Sequence, residues 1–270
     1  EKNIYQYGVN QVGCDRPGYK TTVQRVGDTR RSHHISEITA TNIDGMRYVF
    51  GLPTYNITQE EVSYTLNGGE NIDANGQVKY QVPSGGWGSN GKDGFYEKTA
   101  TPAYVTSNLL TAVLSPDYID VDDNGPSIND VGNYVKFNYT YAGVSEWRTP
   151  FSKDSATYNK AFLSDATDNK ASYVKGTKEL YYISSIESKT EIAEFYYDTT
   201  RMDGFGANNK KLYRLKEIRV YAKNERALNV VDPIAIRIVK FTQNYALCPG
   251  TKNSSATTKG KLTINEVAMY

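Results

Sequence analysis

Four times along this chain, two aliphatic residues bracket a pair of polar ones: Ile35-Ser36-Glu37-Ile38, Ile183-Ser184-Ser185-Ile186, Leu215-Lys216-Glu217-Ile218 and Ile264-Asn265-Glu266-Val267. After each of the first three comes a turn signal and then an aliphatic and aromatic run: Met46–Phe50, Ile192–Tyr197 and Ile234–Phe241. A spacing of three also suits one face of a helix. The segments are short, however, and rich in Ile, Val and Tyr, and each partner run lies across a turn, as at Asp44-Gly45. The pattern therefore predicts antiparallel hairpins, with Ile183–Ser188 against Ile192–Tyr197 and Leu215–Ala222 against Ile234–Phe241. Uneven spacing of the units excludes a solenoid of fixed period. The fourth unit has no return strand before Tyr270, so Lys261–Tyr270 is expected at a sheet edge, in a chain that continues.

Composition points the same way. There are 23 Tyr against 8 Phe and 2 Trp, and tyrosine suits a half-buried pleated surface, its ring packed and its phenol wet. With a mean hydropathy of −0.59, this is the make-up of an extracellular β protein, secreted or displayed at a cell surface. The aromatics are too many for a disordered chain. Lys and Arg number 31 against 30 Asp and Glu, which removes the basic footprint of a nucleic-acid binder. No apolar run approaches the ~20 residues that span a bilayer as a helix. The two cysteines, Cys14 and Cys248, are either one bridge between the chain's ends or two unrelated thiols.

The chain divides into a polar lead-in (1–32), a β region with a Gly-rich and an acidic loop (33–133), and a strand-rich hairpin region (134–270). The last two are expected to form one continuous β architecture. Within the middle region Val78–Val82 reads as a strand, Ser84–Gly91 as a hairpin tip, and 99–116 as the best place for a short helix. The expected class is thus mostly β: antiparallel hairpins in a meander, ribbon or β-sandwich, with at most one short helix.

Several stretches together carry a family likeness: Asp44–Asn56, Tyr134–Tyr139, Trp147–Phe151, Lys178–Ile183 and Gly260–Ile264. They resemble segments of very large secreted surface proteins of the Bacteroidota that are distantly Rhs-like, that is, related to tyrosine–aspartate-repeat proteins. The likeness covers most of 33–270. It implies a β-ribbon of hairpins that serves as shell or scaffold for an adhesive or toxic element. The partners implied are the rest of the same polypeptide and, with it, surface glycan or secretion machinery. The regular Tyr-Asp-x-x-Gly-Arg repeats are missing, Tyr197-Asp198 being the nearest trace, so an independent β domain is the other architecture.

Chemistry-bearing patterns are few. His33 and His34 are adjacent and would point to opposite faces of a strand, and no Gly-x-Ser-x-Gly elbow accompanies them. Two distant cysteines and this pair do not make a zinc spacing. A non-catalytic structural or interaction role follows as the first reading. The second is a carbohydrate-binding module using Trp87 and Trp147. A glycoside hydrolase is a distant third, with Glu179, Glu187 and Glu194 as its candidate carboxylates. One loop resembles a metal site: Asp120-Val121-Asp122-Asp123-Asn124-Gly125 places oxygen side chains at positions one, three and five and glycine at six. That is how a calcium loop begins. Position seven would be the carbonyl of Pro126. Position twelve is Val131 instead of a bidentate Glu, with Asp130 one place early, so the calcium expected there is weakly held by Asp120, Asp122, Asn124 and Asp130.

Overall fold

One strand of 18 residues, β12 (Lys170–Glu187), organises the molecule. The computed structural model describes residues 5–7, 20–22, 30–31, 33–67, 71–79, 93–159, 168–227 and 233–270. On one flank of β12 lie β11 (Ser155–Asn159), opposite Lys170–Ser172, and β10 (Tyr134–Thr149), opposite Val174–Glu187. On the other flank lie β5 (Leu52–Thr65), opposite Lys170–Lys178, and β13 (Glu191–Asp198), opposite Ser185–Glu187. All of these pairings are antiparallel. Between the departure of β5 and the arrival of β13, side chains take the place of a neighbouring strand. Glu179 Oε2 accepts the N–H of Tyr55 at 3.1 Å, and Tyr182 Oη accepts that of Tyr213 at 3.0 Å.

From β12 the sheet runs outward through β13, β14 (Arg214–Ala222) and β15 (Arg237–Leu247) to an edge at β16 (Lys261–Met269). In the other direction it passes through β10, β9 (Ala112–Leu114) and β4 (Arg47–Phe50) to a second edge at β3 (Ile38–Thr41). Off this path, β7 (Tyr96–Thr101) and β8 (Tyr104–Leu109) follow one another along β5, and β6 (Gln77–Lys79) joins β11. A separate two-stranded piece pairs β1 (Tyr5–Tyr7) with β2 (Lys20–Thr22). The fold is mostly β, with a 14-stranded antiparallel sheet and one short helix, α1 (Lys223–Ala227), among the described residues. No described helix is long and apolar enough to cross a membrane.

The predicted hairpins form as expected: Ile186 faces Ala193, Ile218 faces Val239, and Ile38 faces Phe50. β16 is an edge strand. The helix expected over 99–116 does not form; β7, β8 and β9 occupy that stretch. Thr99, Thr101, Val105, Thr106 and Val113 are β-branched, which raises strand propensity at a helix's expense, and Pro102 disfavours the helical conformation at Thr101 before it. Of the strand expected at Val78–Val82, β6 covers the start; residues 80–92, including the expected Gly-rich hairpin tip, lie outside the described residues.

Three of the four copies of the repeated motif prove to mark β-bulges; the first, Ile35–Ile38, leads into β3 without one. Asn138 faces Ser185 and Tyr139 faces Ile183, leaving Ser184 as the extra residue. In the same way Lys216 is extra between Leu215 and Glu217, and Asn265 between Ile264 and Glu266. Each extra residue falls at the second position of its motif. A bulge adds one residue to a strand without advancing the ladder, so aliphatic residues three apart return to the same face. Ile183 and Ile186, Leu215 and Ile218, and Ile264 and Val267 therefore share one side. The spacing looks helical, but its cause is a strand irregularity.

That side is aliphatic over many strands. Directly opposed residues share a face, so Phe137, Ile186, Ala193 and Val220 form one row across β10, β12, β13 and β14. Phe195, Ile218, Val239 and Met269 form the next, and Phe241 faces Val267 beyond it. None of these side chains is buried; Val267 is 46% and Met269 72% exposed.

The opposite face is polar and is partly covered. The loop between β9 and β10 folds back over it, with Tyr118 packed edge-on to Tyr134 and, together with Ala112 and Leu114, forming a small core cluster. Further along, α1 is pinned to the same face by ion pairs from Lys223 to Glu187 (2.9 Å) and from Arg226 to Glu194 (2.7 Å). A second apolar cluster, Val62, Tyr64, Leu66, Val78, Ala156, Ala171 and Tyr173, forms where β5, β6, β11 and β12 meet.

The bulge reading predicts an asymmetry between two changes at one exposed residue. Lys216→Ala should alter unfolding free energy by no more than about 0.5 kcal/mol. Deleting Lys216 removes the bulge and turns Leu215 to the polar face, which should cost at least about 2 kcal/mol. Urea denaturation of the two variants makes the comparison.

Candidate functional site

The acidic loop between β9 and β10 is where the expected metal ligands fall. Carboxylate oxygens of Asp120, Asp122 and Asp130 all lie within 4.8 Å of one another. The loop is drawn together by its own backbone: Asp120 Oδ1 accepts the N–H of Asn124 at 3.2 Å and Oδ2 that of Gly125 at 2.8 Å. Gly125 sits at φ 80°, a left-handed conformation that glycine takes without strain. Asn124 Oδ1 is enclosed and has no hydrogen-bond partner among the described residues. Asp120, Asp122 and Asn124 are thus the residues that could hold an oxygen-liganded cation.

Asp130 and Pro126 are committed elsewhere. Asp130, 4% exposed, accepts three hydrogen bonds: from Tyr118 Oη at 2.7 Å, from the Ser127 N–H at 2.7 Å and from the Val121 N–H at 3.1 Å. Burial opposes ionisation of this carboxyl, but the bonds from Tyr118, Ser127 and Val121 outweigh it and hold its pKa below the ordinary value. Burial, then the bond to Asp130, pushes the Tyr118 phenol far up. The Pro126 carbonyl, the expected seventh-position ligand, accepts from the buried Lys136 Nζ at 3.4 Å. Lys189 Nζ donates to the Asp130 carbonyl at 2.6 Å. Here protein donors meet the carboxylate's charge, a role the sequence reading left to a cation.

Trp147, the other expected contact residue, lies on β10. Its Nε1 donates to Oδ1 of Asn56 at 2.9 Å, and Asn56 is 2% exposed. The Asn56 amide in turn donates to Gln59 Oε1 and Tyr104 Oη. The indole lies against Gly176 of β12, where an added Cβ would stand 2.9 Å from Cε2 and Cζ2 of the ring. On the opposite face of the sheet a cavity of about 450 Å³ lies between β5, β10 and β12, lined by Glu60, Glu146, Arg148, Tyr173 and Lys175. Trp87 lies outside the described residues, as does Cys14; Cys248 is an exposed free thiol.

The strand glutamates are more constrained than solvated strand faces. Glu179, its side chain 6% exposed, pairs with Arg30 at 2.8 Å; Glu194, 4% exposed, accepts Arg226 and, at 2.6 Å, the Tyr196 phenol. Asn138 donates to Glu187 at 2.6 Å. Each of the three is held by a cation from a distant part of the chain, which no local pattern announces. His33 and His34 occupy a turn instead of a strand, with rings edge to face at 4.7 Å and His34 stacked on Tyr55. No family model, curated protein or solved structure matches this chain.

The Asp130 arrangement has a pH signature. Its depressed folded pKa means that ionisation stabilises the fold above the unfolded value, about 3.9. That stabilisation is lost as pH falls through the lower folded value. Asp130→Asn should cost about 2 kcal/mol at neutral pH, and the gap to the parent should narrow steadily below about pH 4. Denaturant unfolding at pH 7 and at pH 3 measures it; an unchanged gap would mean the charge plays no part.

Proposed function

We propose that this chain is a non-catalytic structural and interaction segment of a large secreted or surface-displayed protein. The observation that carries the reading is the aliphatic sheet face, maintained across β10 and β12–β16 by bulges at three copies of one motif. An isolated β domain covers such a face with a second layer. Here, among the described residues, none of its side chains is fully covered, those of Ile264, Val267 and Met269 stay 46–72% exposed, and the flanking strand β16 leaves one backbone edge open. Both features suit a module that packs against further β structure of its own polypeptide, strand to edge and layer to face.

The test uses the face itself. The chain should bind a hydrophobic dye and self-associate at micromolar concentration. Ile264→Thr, Val267→Thr and Met269→Thr together should suppress both, with little change in melting temperature, because these side chains are already 46–72% exposed. A folded parent chain that binds no dye and stays monomeric would sink the reading.

Within this scaffold the acidic loop is proposed to bind calcium through Asp120, Asp122 and the otherwise unpartnered Asn124 Oδ1. With Asp130 already occupied by three donors, affinity should be weak, on the order of 10⁻⁴–10⁻³ M as in extracellular modules. Bound calcium would tie β9 to β10 through their connecting loop. Millimolar calcium should raise the melting temperature relative to chelator. Asp120→Ala with Asp122→Ala should abolish that rise. An unchanged melting curve on adding calcium would leave the loop held by its own hydrogen bonds.

A further inference from the structure

Asn138, Glu187 and Lys223 meet on the polar face of the sheet, each supplied by a different element. Glu187 is the last residue of β12, Asn138 lies on β10, and Lys223 opens α1. Lys136 faces Glu187, so Asn138, two residues further along β10, stands on the same side as the carboxylate. The Asn138 amide is 1% exposed; its Nδ2 donates to Glu187 Oε1 at 2.6 Å and to Ser185 Oγ at 2.9 Å. Lys223 Nζ reaches the other oxygen, Glu187 Oε2, at 2.9 Å. Lys223 is itself well placed. Its N–H donates to the Thr190 carbonyl at 2.8 Å, and Nζ also donates to the Tyr134 phenol at 3.1 Å and the Ser188 carbonyl at 3.2 Å.

One carboxylate thus holds an amine by one oxygen and the nitrogen of a carboxamide by the other. Those are the two nitrogens between which protons must pass if the amine is to displace the amide nitrogen. Burial opposes the charge on Lys223, and the Glu187 carboxylate restores it. A proton passed from Nζ to Glu187 therefore discharges both partners together. An uncharged lysine amine is a nucleophile. Here the fold already holds it beside the amide, which removes the entropic cost of bringing the two together.

We infer that Lys223 and Asn138 condense into a side-chain amide, with Glu187 carrying the protons. Glu187 first takes one proton from the Lys223 ammonium. The freed electron pair of Nζ then bonds to Asn138 Cγ, and the carbonyl π pair moves onto Oδ1. When that pair returns, the Cγ–Nδ2 bond breaks and its electrons leave with Nδ2. Glu187 gives its proton to the departing nitrogen, takes a second from Nζ and passes this on as well. The products are one Nζ–Cγ amide and one ammonium ion, with Glu187 again a carboxylate and no other reactant consumed. The link would tie β10 to α1 across β12 and β13, so the polar face would stay joined even where ladder hydrogen bonds open. It involves neither the aliphatic face nor the acidic loop, and stands apart from the scaffold role and from calcium.

Intact-mass spectrometry of the folded whole chain, incubated at neutral pH until its mass is constant, tests this. The chain should be lighter than its sequence by one ammonia, about 17 Da. Ring closure at Asn75-Gly76 or Asn124-Gly125 would remove the same mass, so the deciding measurement is a protease digest. It should contain one branched species joining the Asn138 peptide to the Lys223 peptide. Lys223→Arg and Asn138→Ala should each lack the branched species. Glu187→Gln should lower the linked fraction at least about tenfold, in protein whose β-sheet circular dichroism matches the parent. A parent chain without the branched peptide would overturn the inference whatever the variants do. So would a linked fraction that is unchanged in folded Glu187→Gln.

Discussion

Pairing along β12 is the constraint on which the rest depends. An 18-residue strand is about 60 Å long at the usual rise, and four strands share its two flanks. Each covers only part of its length. The sheet can therefore branch, with β5 leaving one flank before β13 joins it. Where the branch opens, backbone groups find side-chain partners, Glu179 for Tyr55 and Tyr182 for Tyr213. Burial at this fork pushes the Tyr181 phenol up to about 12, with the Glu179 carboxylate adding to the effect. The fork is thus a polar, aromatic joint, satisfied by tyrosine and glutamate instead of by a strand.

Tyrosine answers a problem peculiar to a wide, thin sheet. With no continuous second layer among the described residues, apolar burial gathers mainly in two small clusters, with residues such as Leu52 buried apart from them. Seven tyrosines are nonetheless buried among the described residues: Tyr55, Tyr64, Tyr118, Tyr134, Tyr173, Tyr221 and Tyr245. A phenol adds apolar area, and its hydroxyl bonds to whatever polar group lies at the rim. Tyr118 reaches Asp130 in this way, and Tyr245 accepts the Met202 N–H. Arginine and lysine extend the arrangement by lying over rings, as Arg226 does over Tyr221 and Arg219 over Tyr196. The polar face is held by such pairs and by α1, while the aliphatic face has no comparable cover from the described residues.

Much of the fold was legible in the sequence, and for a local reason. Strand propensity and turn chemistry act over a few residues, so the hairpins of β12 with β13 and β14 with β15 could be read directly, as could the edge position of β16. The stretch 99–116 misled because a short aliphatic run does not distinguish strand from helix by periodicity alone. The motif was visible, but its meaning was not. A spacing of three in a strand requires a bulge, and whether a residue is extra depends on the partner's register, to which Lys216 and Asn265 carry no clue.

The candidate sites divide along the same line. The loop Asp120–Gly125 announces itself because its ligand spacing is sequential, and the chain indeed brings Asp120, Asp122 and Asp130 together. That Asp130 is spoken for by Tyr118, and the Pro126 carbonyl by Lys136, could not be read, since those donors arrive through packing of the loop on β10. Trp147 was singled out as an aromatic; its fixation by Asn56, 91 residues away, and its seat on Gly176 come from the register of β5, β12 and β10. By itself the sequence determined a β chain of hairpins with an aliphatic motif and one acidic turn, because those properties reside in neighbouring residues. Only the tertiary structure decided which face is aliphatic, which carboxylates are already satisfied and what surrounds the indole, because each depends on strand pairings between residues far apart in the chain.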